Sequence, residues 1–150
     1  MAPGLPDDFR EFLSLLSDEQ VRYLLIGGYA VGYHGYPRAT GDLDVWIEVD
    51  PDNADRMVAV LRRFGFLDTS LSAELFLRVP GIIRMGVPPM RIQVLTDIDG
   101  VVLSDCYAER LTDDGDGVEV NLISLDRLRQ NKRAAGRFKD LDDLENLPRS

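Results

Sequence analysis

The sequence predicts an α/β (α+β) domain in which helices flank a small mixed β-sheet. Three observations predict it. Short apolar runs of strand length recur at 21–26, 42–49, 81–87, 90–97 and 118–124. Stretches with helical periodicity separate them, so strands and helices alternate along the chain. The 150 residues show no internal repeat, low-complexity tract or linker, which suits one domain over 1–150 with terminal helices from about 124.

Each element has a local reason. Asp7 or Asp8 can cap a first helix carrying Phe9, Phe12, Leu13 and Leu16 at helical spacing. "VRYLLI" (21–26) reads as a buried strand, and "GGYAVGYHG" (27–35) opens a short helix at its glycines. Pro37 and Gly41 make 36–41 a loop. "DLDVWIEV" (42–49) begins with polar/apolar alternation, the pattern of a strand with one dry face. Pro51 starts a helix that Gly65 stops, and 70–77 is a further short helix. "GIIRMGV" and "MRIQVLTD" flank Pro88-Pro89, which predicts neighbouring strands joined by a turn. Residues 103–111 read as helix, "DDGDG" (113–117) as a turn and 118–124 as a strand. Ser124 caps a final helical stretch that breaks near Gly136.

Composition narrows the function classes. No apolar stretch approaches the roughly 20 residues that span a bilayer, and "MAPGLPDDFREF" lacks the pattern of a secretion signal, so a cytoplasmic location is the expectation. A single cysteine, Cys106, excludes an internal disulfide and a multi-cysteine metal site, and its helical setting points to burial. The net charge of −9 opposes nucleic-acid backbones except where bases cluster. They cluster once, at Arg127, Arg129, Lys132, Arg133, Arg137 and Lys139, with no acid between them. Such a run reads as a solvated helix face or as a contact surface for a polyanion.

The chemistry concentrates in 26–45. Asp42 and Asp44 are two apart on a strand, so they share a face, with α-carbons roughly 6.5 Å apart. Two carboxylates so placed raise each other's pKa, and a divalent cation between them reverses that cost. Mg²⁺ suits the pair, because it takes one or two carboxylates and completes its octahedron with water and substrate phosphates. Thirteen residues separate Asp42 from Gly27-Gly28, which ends a strand and starts a helix. A glycine corner lets backbone amides approach a ligand, and unpaired first-turn amides favour an anion. An anion cradle beside a metal-holding pair fits a nucleoside triphosphate.

With Ile26, Gly27, Gly28, a thirteen-residue gap and then Asp42-Leu43-Asp44-Val45, the chain resembles the polymerase-β-like minimal nucleotidyltransferase superfamily. "GGYAVGYHGYPRATGDLDVWIE" and "LISLDRLRQNKRAAGRFKDLDDLENL" resemble its AbiEii-toxin-like and related bacterial members, over nearly the whole chain. The resemblance implies a nucleotidyltransferase fold. It further implies that Gly27 and Gly28 hold a triphosphate, and that Asp42 and Asp44 hold two Mg²⁺ ions as the catalytic pair. Nucleotide would then pass from an NTP to a hydroxyl of tRNA, a protein or a small molecule. Arg38 and Thr40 lie just before the acids; Arg38 either contacts phosphate or pins the loop. Lys132, Arg137 and Lys139 are candidates to reach nucleotide or acceptor. A toxin role and a partner protein also follow only from the resemblance. His34, the single histidine, suits packing or a helix-end hydrogen bond better than a base. Tyr29, Tyr33 and Tyr36 recur as a helical stripe suited to core or pocket wall. Trp46 shares the face of Asp44 and either walls the cleft or packs beneath a helix.

One position departs from the pattern. The family's third carboxylate comes from a later strand, and the matching stretch, "RIQVLTDIDG", holds Gln93 there. Glutamine is neutral and a weak Mg²⁺ ligand. Asp97 lies four residues on, roughly 13 Å along an ideal strand, and cannot replace it without a bulge. The alternative expectation is therefore a catalytically degenerate member that binds nucleotide or a partner protein.

Overall fold

The protein is described from a computed structural model covering residues 4–87, 89–115 and 117–149. Pro88 of the expected Pro-Pro turn and Asp116 of the 113–117 turn lie outside the described residues. In chain order the helices are α1 (Asp7–Asp18), α2 (Gly27–Tyr33), α3 (Pro51–Phe64), α4 (Leu103–Ala108), α5 (Leu125–Ala135) and α6 (Phe138–Asn146). The strands are β1 (Tyr23–Ile26), β2 (Asp42–Ile47), β3 (Ile82–Met85), β4 (Arg91–Leu95), β5 (Leu111–Asp113) and β6 (Val120–Leu122). They form one sheet in the order β3-β4-β2-β1-β6-β5. The sheet is mixed, as expected: β2 runs antiparallel to β1 and parallel to β4.

The three central strands bury their apolar residues most completely. Leu24, Leu25, Leu43, Val45, Ile47 and Val94 are all fully inaccessible, and Phe9, Phe12, Leu13 and Leu16 of α1 pack into the same core. Full burial of each such side chain contributes about 1.5–3 kcal/mol. Pro51 and Gly65 at α3, and Ser124 and Gly136 at α5, act as expected from sequence; the structure adds Asp50 as the α3 cap. Asp50 accepts from the amides of Asp52 and Asn53, Pro51 is the first helical residue, and Gly65 ends α3 at φ +112°. Ser124 accepts from the amide of Arg127, and Gly136 ends α5 at φ +64°.

Three details differ from expectation. Neither Asp7 nor Asp8 caps α1; Pro6 is the cap residue, and both acids stand in the first turn, where they favour the helix dipole instead. The helix expected over 103–111 stops at Ala108, and Leu111–Asp113 becomes an edge strand against β6. Cross-strand pairing here overrides a short helical pattern. The 70–77 helix is a single 3₁₀ turn, Ala73–Phe76.

Candidate active site

The antiparallel β1/β2 pairing sets Ile26 opposite Asp44, so the chain leaves β1 through Gly27 beside that carboxylate. Gly27 has φ +70°, a left-handed value that suits glycine. A Cβ at Gly27 would lie 2.2 Å from Asp44 Oδ2, and one at Gly28 would lie 2.6 Å from Thr40 Oγ1. Both glycines are therefore required by close approach: the acid sits on the first, the threonine on the second. Thr40 in turn donates to the Asp42 carbonyl at 3.4 Å, tying the preceding loop to the start of β2.

Asp42 and Asp44 alternate with buried Leu43 and Val45, and the two acids share a face as the spacing requires. Their environments differ sharply. Asp44 Oδ1 is buried with no hydrogen-bond partner. Burial, and then the Asp42 charge, push the Asp44 carboxyl up to about 6; Lys139, Lys132 and Arg91 oppose the rise. Asp42 is held below the usual carboxylate range, chiefly by the hydrogen bonds of the Arg91 guanidinium. Arg91 forks onto it, Nε to Oδ1 at 2.9 Å and Nη2 to Oδ2 at 3.0 Å. Gln93 Nε2 adds a third donor to Oδ2 at 2.9 Å.

The parallel β2/β4 register explains these contacts. It pairs Asp42 with Arg91 and Asp44 with Gln93, so Gln93 occupies the neighbouring-strand position where a third carboxylate was expected. Asp97 lies beyond the end of β4 and lines a different cavity, of about 550 Å³, together with Trp46 and Val102. That cavity opens at the other end of the two parallel strands from Asp42. Trp46 therefore belongs to the core there, with 2% of its surface exposed, and lies away from the acids.

The remaining candidates divide between paired and free. Arg38 forks onto Asp143 of α6, Nε to Oδ1 at 2.7 Å and Nη2 to Oδ2 at 2.9 Å, which pins the loop before β2. Lys132 is buried and pairs with Asp140 at 3.2 Å and Asp143 at 3.0 Å. Burial pushes both of these aspartates up, but Arg38, Arg137 and Lys132 outweigh it and hold them below their ordinary range. Arg137 donates to Asp140 at 2.7 Å while most of its side chain stays exposed. Lys139 is exposed and makes no hydrogen bond or ion pair among the described residues, yet its charge acts on both Asp42 and Asp44. The basic run is thus not one continuous face: Arg127 pairs with Glu109, and Arg129 donates to the Leu144 carbonyl.

His34 donates from Nε2 to the Ile123 carbonyl at 2.7 Å, a link between the end of α2 and the strand side of the sheet. Tyr29 packs edge-on against Phe9, with ring centroids 5.6 Å apart. Cys106 is buried, and that burial pushes its thiol up, away from the reactive thiolate. Arg91 is the site residue that sequence reading passed over. Its signal was present: Arg91 and Gln93 alternate with Ile92 and Val94, so both face away from the core.

These residues suit a divalent cation in part. Asp44 offers an orphaned, buried oxygen beside a glycine corner, next to a second carboxylate. Such an acid is stabilised by a cation. Among the described residues, however, no group of three or more His, Cys, Asp or Glu stands together as a metal-ligand cluster. The donor set suits one ion better than two.

No family model matches the chain, and no curated protein matches it. Among solved structures, it is similar to TM1012 of Thermotoga maritima, itself assigned only provisionally as a nucleotidyltransferase. The two share a TM-score of 0.60 at 16% identity, over 91% of this chain and 88% of that one. Together with the six-stranded mixed sheet and its flanking helices, that likeness establishes that the chain has the nucleotidyltransferase fold.

Proposed function

We propose that the protein is a Mg²⁺-dependent nucleotidyltransferase that moves a nucleotide from an NTP to a hydroxyl acceptor. The observation that carries this reading is the seating of Asp44 against Gly27: an ionisable group keeps a buried, unsatisfied oxygen against a glycine corner that has no room for a side chain. A polar atom left in that state costs about 1–3 kcal/mol, and a ligand that satisfies it recovers the loss.

Asp44, with Asp42 beside it, would hold the Mg²⁺, and the ion would neutralise charge on the phosphates. In this reading the Gly27-Gly28 corner, packed against Asp44 and Thr40, would supply backbone amides to the phosphate oxygens. Lys139 adds a free cation at the rim, and Arg38 positions the Thr40 loop through Asp143. His34-Gly35 and Arg38-Ala39-Thr40 support placing the chain with the AbiEii-toxin-like group, and with it a tRNA end, protein or small molecule as acceptor.

A second reading, a degenerate member that binds nucleotide without turnover, is favoured by one observation. Asp42 already accepts three hydrogen bonds from Arg91 and Gln93. Incubation with each radiolabelled NTP, Mg²⁺, tRNA and cell lysate separates the two. Label transfer that falls at least 100-fold in Asp42→Ala, with the fold intact by circular dichroism, is the expected result. Tight nucleotide binding without transfer favours the degenerate reading, and absence of both removes the proposal.

A further inference from the structure

We infer that Arg91 is a built-in counter-cation that takes the charge-neutralising place of a second metal ion, leaving the site to hold one divalent cation with its nucleotide. The inference rests on the proposed nucleotide site and concerns how that site is charged.

The geometry is a relay across three strands. Arg84 of β3 donates from Nε to Gln93 Oε1 at 3.1 Å. That contact turns the Gln93 carbonyl away from the acids and aims its amide N–H at Asp42 Oδ2. The strand register places these residues together, Arg84 opposite Gln93 and Arg91 opposite Asp42. At the position where a ligand oxygen would complete a second metal site, the structure therefore presents a donor. A donor repels a cation, so Gln93 is oriented against metal as well as weak toward it.

Arg91 supplies what the absent charge-balance would otherwise require. Its fork spans both oxygens of Asp42, the planar geometry that binds carboxylate most strongly. With Gln93, it fills three of the roughly four acceptor positions of that carboxylate. Asp44, two residues on, receives no such donor and keeps its orphaned Oδ1. Asp42 thus already has a counter-charge in the guanidinium and keeps about one acceptor position for the ion, whereas Asp44 has only the ion that arrives with the nucleotide. Arg91 acts here as a positioning residue, since it fixes Asp42.

Counting bound Mn²⁺ by electron paramagnetic resonance, with α,β-methylene analogues of the nucleoside triphosphates, tests this without turnover. We expect one Mn²⁺ per bound nucleotide in the wild type. The double variant Arg91→Met, Gln93→Asp removes the fork and restores an acid, and we expect it to bind two. Two ions in the wild type, or none, overturns the inference even if the variant does not fold. A folded variant that still binds one also overturns it. Nucleotide bound with two ions sinks only this inference, whereas failure of every analogue to bind sinks the site as well.

Discussion

At the residue scale, the two acids of β2 have opposite electrostatic fates within one short strand. Asp42 is stabilised as a carboxylate by Arg91, while Asp44 is penalised by burial and by its neighbour. The sign of the second effect on stability can be worked out. The folded-state value, about 6, lies above the ordinary 3.8. The folded chain therefore holds the proton more tightly than the unfolded one. Stability from this group is greatest below the unfolded value and is lost as pH rises through about 6. Asp44→Asn removes the charge, and we expect it to stabilise the chain by on the order of 2–3 kcal/mol at pH 8. Urea denaturation should show its advantage over the wild type widening by about 1–2 kcal/mol between pH 5 and pH 8. An advantage that shrinks with rising pH would contradict the assignment. An acid that weakens the fold is tolerated where function requires it.

At the element scale, α6 holds the site loop in place through charge. Asp143 is fully buried and receives both Arg38 from the loop and Lys132 from α5. Removing that partner leaves two cations with reduced compensation, one of them buried. We expect Asp143→Asn to cost about 3–5 kcal/mol in chemical denaturation, as for other broken buried pairs. A loss under 1 kcal/mol would mean the network does not anchor the loop. This network was hard to read from sequence. Asp140 and Asp143 are spaced to share a helix face, but so are many solvated acids, and only the packing of α5 on α6 reveals their partners. By contrast, the ends of α3 were legible at Pro51 and Gly65, because each acts within a few residues of itself. Asn53 shows the limit of such local signals: it is buried, donates to the carbonyls of Arg22 and Glu48, and ties α3 to β1 and β2. Nothing in its sequence neighbourhood announces those distant contacts.

At the scale of the whole molecule, the fold brings three strands from separate parts of the chain to one place. The alternation of strands and helices, and the mixed sheet, were legible, because period-two and helical patterns are local properties. The order of strands was not, since β2 pairs with β4 across a gap that no local pattern measures. The candidate site shows the same division between local and distant signals. Gly27, Gly28, Asp42 and Asp44 lie within one short segment, whereas the Arg91 fork depends on register between distant strands. Binding of a magnesium triphosphate at this seam is the claim on which the rest depends. Isothermal titration calorimetry with magnesium and the non-hydrolysable triphosphate analogues tests it most directly. We expect one saturable site in the wild type, weakened at least tenfold in Asp44→Asn and in Gly27→Ala if these variants remain folded. Absence of binding in the wild type, or equal affinity in both folded variants, would contradict it.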